Sequence, residues 1–516
     1  MKIEVMDTTL RDGEQTAGVS FNENEKLAVS RMLLEELKVD RIEVASARVS
    51  DGELRTVRRI AEWAESRGYS DRVEVLGFCD GGLSLEWIEK AGGRVMNLLA
   101  KGSLKHLEGQ LRKSPEQHLA DIFAIIEASE KKGIILNIYL EDWSNGMIDS
   151  PGYVYMLIDQ ITKTPVNRIM LPDTLGILNP DQTYQFCRKV ISDYPDVHFD
   201  FHAHNDYDLA AANVYAALKA GVRGVHTTVN GLGERAGNVS ISSVAGVLND
   251  HLSASNNLVE SKLSGISGLV ELFSGVRVPA NKPLTGENVF TQCCGVHADG
   301  DSKAGLYFNK LMPERFGRKR SYALGKTSGK ANIIKNLEEL GISLTMEELE
   351  KVTQKVIELG DKKESVTTGD LPFIISDVLK GGENETKIKL LNYHLSATKG
   401  LKPVASLSIS VDGGTYTETA EGEGQYDAFM TALWKIYDRL NKTKPFLSDY
   451  VVAIPPGGNT NALVETTITW QYMGNNYKTR GLDADQSEAA IKATMKMLNL
   501  IENLKKEDNP QPAVSA

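Results

Sequence analysis

The 516-residue sequence predicts an α/β protein: a (β/α)8 barrel, then a linker with helical subdomains, then a C-terminal α+β domain of two βββα units. Three observations predict it. Short runs rich in β-branched residues alternate with amphipathic stretches through the first half of the chain, which is the pattern of a parallel sheet. That alternation stops near residue 258. Near residue 390 a different order begins, three strand-like runs and then a helix, and this order is repeated once.

The runs of the first half lie at residues 2–6, 41–45, 72–78, 94–99, 134–140, 168–171, 198–202 and 222–228. Residues 23–37 and 54–67, between such runs, carry apolar side chains at helical spacing. Eight strand–helix units over roughly 250 residues fit a closed barrel. An open doubly wound sheet is the alternative. It is disfavoured because no glycine-rich phosphate loop follows the first run, and because polar residues sit just after many runs, where a barrel gathers them at one mouth.

Residues 260–330 hold polar loops and glycines, and residues 331–385 read as short helices, clearest over 346–359. The repeated unit has runs at 390–397, 403–411 and 414–420 with a helix at 426–440, then runs at 448–454, 463–473 and 477–481 with a helix at 485–504. The expected division is a barrel domain over 1–258, linker and helical subdomains over 259–388, a regulatory or dimerisation domain over 389–505, and a disordered polar tail over 506–516.

Composition narrows the function. Hydrophobic residues make up 41% and charged residues 25%, as in a soluble globular protein. A net charge of −11 argues against a nucleic-acid partner, which needs a basic face. The basic segment RFGRKR at 315–320 runs against this trend. It reads either as a solvated or subunit-contact loop or as an anion site for a CoA-type ligand. Four cysteines do not make a disulfide framework in a chain this long, so reduced thiols and a cytoplasmic protein are expected. The N-terminal MKIEVMDTTL has no signal-peptide core, and no stretch of 18 apolar residues is present, so no membrane association is expected.

The chemistry concentrates at three run ends. His202 and His204 are two residues apart on a strand and therefore point the same way. A single buried histidine is more often a satisfied core group; a pair followed by Asn205 and Asp206 at a barrel mouth points to a metal. Asp12 follows the first run, which lies beside the seventh and eighth once the barrel closes. Asn238 follows the eighth run and offers an amide oxygen. Aspartate, two histidines and asparagine, without a thiolate, suit Mn²⁺, Mg²⁺ or Zn²⁺ and do not choose among them. Open coordination positions imply catalysis. Arg11, adjacent to Asp12, suits such a site to stabilising an oxyanion, or else forms an ion pair with Asp12 or Glu141.

Taken together, LRDGEQ, LEDWSNG, LPDTLG, HAHNDYD, NGLGERAGN and GVHADGD resemble the DRE-TIM metallolyase superfamily, and within it the group of 2-isopropylmalate, homocitrate and citramalate synthases, over residues 3–505. The C-terminal repeat resembles that group's amino-acid-binding regulatory domain. The resemblance implies a Claisen-type condensation of acetyl-CoA with a 2-oxo acid that chelates the metal. It assigns Arg11 to charge stabilisation, Glu141 to catalysis, Thr174 to the substrate carboxylate and His297 to proton transfer, often from the partner subunit, with Tyr307 a weaker catalytic candidate in the same loop. Leu76, Leu99 and Tyr139 would line the 2-oxo acid pocket, Gln15 and Phe78 would meet acetyl-CoA, and Tyr426 and Asp427 in GEGQYDA would lie at the effector site.

The pocket trio is bulky and without a cation, which favours pyruvate over 2-oxoisovalerate and gives no partner for the second carboxylate of a homocitrate-forming substrate. RIEVASARVS, NIYLEDWSNG and FGRKRSYALGK strengthen the likeness to citramalate synthases. The expected product is (R)-citramalate, on the way to isoleucine; 2-isopropylmalate, on the way to leucine, is the alternative. A homodimer under feedback inhibition by the corresponding amino acid is expected. Lyases of the superfamily generally lack the C-terminal repeat and GVHADGD, and carboxyltransferases usually add a modified lysine ligand not found here. A sensor that has lost catalysis is the reading from a different class; intact Arg11, Asp12, Glu141, His202, His204 and His297 argue against it.

Overall fold

The computed structural model of the chain describes residues 2–252, 254–303, 305–361, 366–379, 387–453 and 464–507. Two compact units emerge, one from residues 1–290 with 309–319, the other from 291–308 with 320–516.

In the first unit, β1 (Glu4–Asp7), β2 (Arg41–Ser46), β3 (Val73–Phe78), β4 (Val95–Lys101), β5 (Ile135–Glu141), β6 (Arg168–Asp173), β7 (Phe199–Ala203) and β8 (Gly224–Thr227) form a closed barrel. Neighbours pair in parallel, and β1 closes the ring by pairing with both β2 and β8. All the expected strands form, with ends displaced by a few residues. Alternation along each strand sets two faces. Val5, Val44, Val75, Leu98, Ile138, Leu171, Phe201 and Val225 point outward and are buried in the main core beneath the helices. The inward face carries Arg41, Glu43, Glu74, Asn97, Asn137, Asp200, His202 and His226, all buried.

Local signals position the helices. Glu23–Arg31 starts at a capping box made by Asn22 and Glu25, then widens into a π-turn over Met32–Leu37 that ends at Lys38 in the left-handed region (φ 63°). The expected helix at 23–37 therefore has the right span but not one geometry. Ser114 with Gln117 and Asn179 with Gln182 make capping boxes for Pro115–Lys132 and Pro180–Asp193, each with proline in its first turn. The arginines of the basic segment turn inward. Arg315 pairs with Asp250 (2.9 Å) and Glu260 (2.7 Å), and Arg318 donates to the carbonyls of Gly286 (2.6 Å) and Glu287 (2.7 Å).

In the second unit, the short strands β9 (Thr291–Gln292) and β10 (Ser321–Tyr322) pair in parallel, and helices Gly295–Ser302, Lys330–Glu339, Met346–Asp361 and Leu371–Leu379 accompany them. The two βββα units form as expected. β11 (Ile388–Ser396), β12 (Val404–Val411) and β13 (Gly414–Glu421) precede helix Gln425–Arg439; β14 (Phe446–Ala453), β15 (Val464–Tyr472) and β16 (Asn475–Asp483) precede helix Gln486–Glu507. Asp412–Gly413 turns β12 into β13 with both φ positive, 49° and 82°, as a two-residue hairpin loop requires. Leu407, Ile409, Phe429, Leu433, Ile468, Trp470 and Met497 share the core of this unit. The expected strand residues 454 and 463, residues 362–365 and 380–385 of the expected helical stretch, and tail residues 508–516 lie outside the described residues. No described helix is long and apolar enough to cross a membrane.

Candidate metal centre

The inner face of the barrel is stacked in layers. At the floor, Arg41 bridges Glu74 (2.9 Å) and Asp200 (2.5 Å), and Arg168 pairs with Glu4 (2.7 Å). His226 contacts Asp200 through Nε2 (3.1 Å) and the Tyr139 hydroxyl through Nδ1 (3.0 Å). Burial opposes the charge on Asp200, yet Arg41, His198, His226 and Arg168 together hold its carboxyl well below the usual carboxylate range. Above the floor lies an apolar layer of Met6, Leu76, Tyr139 and Met170, with Leu99 packed against it. The three expected pocket residues thus meet in one cluster.

At the mouth, Asp12, His202 and His204 converge, all buried, with one ligand atom from each lying within 4.8 Å of the others. Asp12 Oδ2 is 3.1 Å from His202 Nε2, 3.9 Å from His204 Nε2 and 3.4 Å from the Arg11 guanidinium. The strand pair explains the histidines, and a bridge between His204 and Asn238 brings the loop after β8 against β7. Asn238 Nδ2 donates to the Leu232 carbonyl at 3.1 Å. Among the described residues, no hydrogen-bond partner reaches Asp12 Oδ1, Asn238 Oδ1 or the Nδ1 atoms of His202 and His204. Bare buried oxygens are costly, about 1–3 kcal/mol each. A divalent cation would answer that cost, and the oxygen–nitrogen donor set fits one.

Electrostatics agree with this use. Burial opposes ionisation of Asp12, but Arg11, His202 and His204 outweigh it and hold the carboxyl well below its ordinary value. Burial, and then the neighbouring His202, push His204 down to about 4, so this imidazole is neutral at pH 7. Arg11 is raised despite burial, because Glu43 and Asp12 face it. Its Nε donates to Glu43 at 2.5 Å and its Nη2 to the Tyr139 hydroxyl at 3.5 Å. The loop carrying Arg11 and Asp12 is fastened from below by the buried Lys26, which donates to the carbonyls of Leu10 (3.0 Å) and Val44 (3.1 Å) and pairs with Glu14 and Glu53. A cleft of about 650 Å³ opens between the loops after β1 and β2, lined by Arg11, Gln15, Phe21, Ser46, Val49 and Arg55 among others.

The remaining expected residues are distributed as follows. Glu141, at the end of β5, pairs with Lys101 at the end of β4, whereas Arg11 takes Glu43 and Asp12. The Thr174 hydroxyl accepts from the Asp142 amide at 2.9 Å, which leaves its proton free to donate. Phe78 is 37% exposed at the end of β3 and Gln15 is exposed beside the cleft. His297, Tyr307, Tyr426 and Asp427 belong to the second unit. There the rings of His297 and Tyr307 lie 4.2 Å apart, the Tyr426 hydroxyl bonds Thr494 at 2.7 Å, and Asp427 accepts from the Glu423 amide at 2.9 Å.

Sequence reasoning passed over Glu43, Lys101 and Lys26. Glu43 had a signal: with Arg41 it occupies alternate positions of one strand, so two charges face a barrel interior. Lys101 and Glu141 meet because they are register partners in β4 and β5, which no local pattern reveals.

Comparison with known proteins follows the same division of the chain. Residues 2–270 match the HMGL-like family, residues 284–364 the homocitrate synthase post-HMGL domain-like family, and residues 365–502 the LeuA allosteric (dimerisation) domain. The chain is similar to the (R)-citramalate synthase CimA of Methanocaldococcus jannaschii, 32% identical over 506 residues that cover 98% of this chain and 100% of that protein. It is also similar to the 2-isopropylmalate synthase of Halalkalibacterium halodurans, 31% identical over 514 residues that cover 98% of each.

Proposed function

Because this chain belongs to the HMGL-like family of the DRE-TIM superfamily, among the citramalate and 2-isopropylmalate synthases, we propose that it condenses acetyl-CoA with pyruvate to give (R)-citramalate and CoA. The observation that carries this reading is the Asp12–His202–His204 cluster beside Arg11, which meets the apolar layer of Leu76, Leu99 and Tyr139 through Tyr139, in contact with Arg11 and His202.

Asp12, His202 and His204, with the Asn238 amide oxygen, would hold a divalent cation, Mn²⁺, Mg²⁺ or Zn²⁺, which as a Lewis acid polarises the carbonyl of a 2-oxo acid. Thr174 donates its hydroxyl proton to the substrate carboxylate. Arg11, fixed by Glu43, faces the negative charge that develops on the keto oxygen. Glu141 serves as the carboxylate of the catalytic set at the mouth, and His297 with Tyr307 takes part in proton transfer, supplied from a second copy of the chain. Loss of a methyl proton from acetyl-CoA gives the enolate, its carbon bonds to the keto carbon of pyruvate, and water cleaves the thioester to release CoA. Gln15 and Phe78 flank the approach of acetyl-CoA. The LeuA dimerisation domain supports a homodimer, with Tyr426 and Asp427 beside the site of an amino-acid effector, isoleucine in this reading.

The similarity to a 2-isopropylmalate synthase supports a second reading, with 2-oxoisovalerate as substrate. Release of free CoA from acetyl-CoA and Mn²⁺ with either 2-oxo acid separates the two. Pyruvate is expected to lead in kcat/KM by about 10-fold or more, since an isopropyl group must displace a filled apolar wall. A lead for 2-oxoisovalerate transfers the enzyme to the second reading.

A further inference from the structure

Three of the sequence motifs contribute more residues than the metal set uses. Gly176 of LPDTLG, Asp206 of HAHNDYD and Arg235 of NGLGERAGN lie on the loops after β6, β7 and β8, and they lock together. The Arg235 guanidinium takes Asp206 as a fork, Nε to Oδ1 at 2.8 Å and Nη2 to Oδ2 at 3.1 Å, and the same Nη2 donates to the Thr174 carbonyl at 2.7 Å. Asp206 lies so close over Gly176 that a Cβ there would stand 2.7 Å from its carboxylate, 2.9 Å from its amide and 3.0 Å from the His204 carbonyl. Gly176 is also in the left-handed region, at φ +57°.

Arg235 itself has φ 54°, a conformation an L side chain holds only where its surroundings dictate it. The backbone around the fork is tied as well. The Asn205 amide donates to the Gly237 carbonyl at 2.9 Å, and the Gly237 amide to the Glu234 carbonyl at 2.8 Å, next to the His204–Asn238 bridge. Thr174 is consequently held at both ends, its hydroxyl by the Asp142 amide and its carbonyl by Arg235.

We propose that Arg235 is a positioning residue, the pin of a three-loop clasp that fixes Thr174 against the His204–Asn238 edge and so sets the seat of the 2-oxo acid carboxylate. The planar fork is what the role needs. It reaches a carboxylate and a carbonyl at once, which the single ammonium of lysine does not reproduce. The substrate part of this proposal rests on the reading of Thr174 given above; the clasp itself does not.

The test uses the full-length protein and four variants, R235M, R235K, D206A and the double variant R235M/D206A. Steady-state kinetics give KM for pyruvate and for acetyl-CoA, and Mn²⁺ affinity is read separately from the electron paramagnetic resonance of free Mn²⁺. Breaking an outer support of this kind costs about 10–100-fold. R235M and D206A are each expected to raise KM for pyruvate and to weaken Mn²⁺ binding by about 10-fold or more, with KM for acetyl-CoA within about 2-fold. R235K is expected to behave like R235M, and the double variant no worse than either single one, because both break one unit.

Full rescue by R235K would reduce the residue to a charge that attracts the anion and would overturn the proposal. So would a D206A variant with unchanged KM and Mn²⁺ affinity, or variants that lose thermal stability alone. Absence of CoA release from the wild type with either 2-oxo acid would defeat the functional reading instead. The Mn²⁺ arm then decides the clasp by itself, weakened binding supporting it and unchanged binding ending it.

Discussion

The floor and the mouth of the barrel are both buried clusters of charge on the same eight strands, and they are built to opposite ends. At the floor every charge faces an opposite one: Arg41 sits between Glu74 and Asp200, and Arg168 faces Glu4. At the mouth Asp12 shares one oxygen with two imidazoles and an arginine while its other oxygen, and that of Asn238, meet no donor among the described residues. Charge compensated from several sides is a structural element, even where single atoms such as Asp200 Oδ1 and Arg41 Nε have no hydrogen bond among the described residues. A carboxylate, two imidazoles and an amide oxygen gathered with open donor atoms are an invitation to a ligand, and that contrast within one barrel is a better guide to the site than burial or polarity alone.

The largest effect that would break this comparison is at the mouth. Asp12→Ala removes a ligand and a bare oxygen together. CoA release is expected to fall by roughly a thousandfold or more, and Mn²⁺ binding with it, while the melting temperature of the metal-free protein falls only slightly, by the loss of the Arg11 and histidine contacts that hold the carboxyl low. A metal-free variant that melts well below the metal-free wild type would mean that Asp12 is a structural partner of Arg11, like the charges below.

At the floor the expectation reverses. Asp200→Asn leaves Arg41 short of a partner in a buried site, and chemical denaturation is expected to register a loss of about 3–5 kcal/mol. Turnover per folded molecule at moderate temperature should change only a few-fold. A thousandfold loss of turnover with little loss of stability would place Asp200 in the chemistry.

How the two clusters look from sequence follows from the same physics. The mouth was legible because it is read from run ends: His202 and His204 share a strand face by the two-residue period, and Asp12 and Asn238 follow the strands that closure makes neighbours. Asp412–Gly413 falls in the two-residue gap between the expected runs 403–411 and 414–420, and the structure gives both residues positive φ. The floor was not read, since its ion pairs join strands far apart in sequence, Arg41 to Asp200 among them. Lys101 with Glu141 is a register effect, and Lys26 reaches the loop after β1, strand β2 and the helix that carries Glu53 through space. Pro172 shows a further limit. The expected run stops at 171, just before it, yet Pro172 stays in register opposite His202 and β6 continues to Asp173.

Acid titration sharpens the contrast at intermediate size. The pKa of His204 in the folded protein, pushed down to about 4 by burial and His202, lies below the ordinary 6.5. Between these values the unfolded chain binds the extra proton, so metal-free protein loses stability as pH falls from about 6.5 toward 4, by up to about 3 kcal/mol. His226 at the floor is also pushed down, to about 3, chiefly by burial, and adds a limb of the same sign that reaches lower pH. Saturating Mn²⁺ competes with the proton at the mouth only. Unfolding measured across this range is expected to show Mn²⁺ displacing the limb removed by His204→Gln and leaving untouched the limb removed by His226→Gln. If Mn²⁺ moves both limbs, the clusters are one titrating system.

The smallest effect concerns the layer that separates the clusters. Leu76, Leu99 and Tyr139 pack with Met6 and Met170 between charges above and charges below, and their bulk is the reason for expecting pyruvate. Leu76 is 4% exposed, so its shortening opens space inside the barrel and not at its surface. Leu76→Val removes one methylene, for which hydrophobic pockets discriminate by about 1–3 kcal/mol, or 10–200-fold. The ratio of kcat/KM for 2-oxoisovalerate over pyruvate is therefore expected to rise by about 10-fold, at a stability cost near 1 kcal/mol. The direction matters more than the size, because cavities relax unevenly. A ratio that stays fixed while stability drops would assign Leu76 to the apolar spacer between floor and mouth and move the choice of 2-oxo acid to other walls of the site.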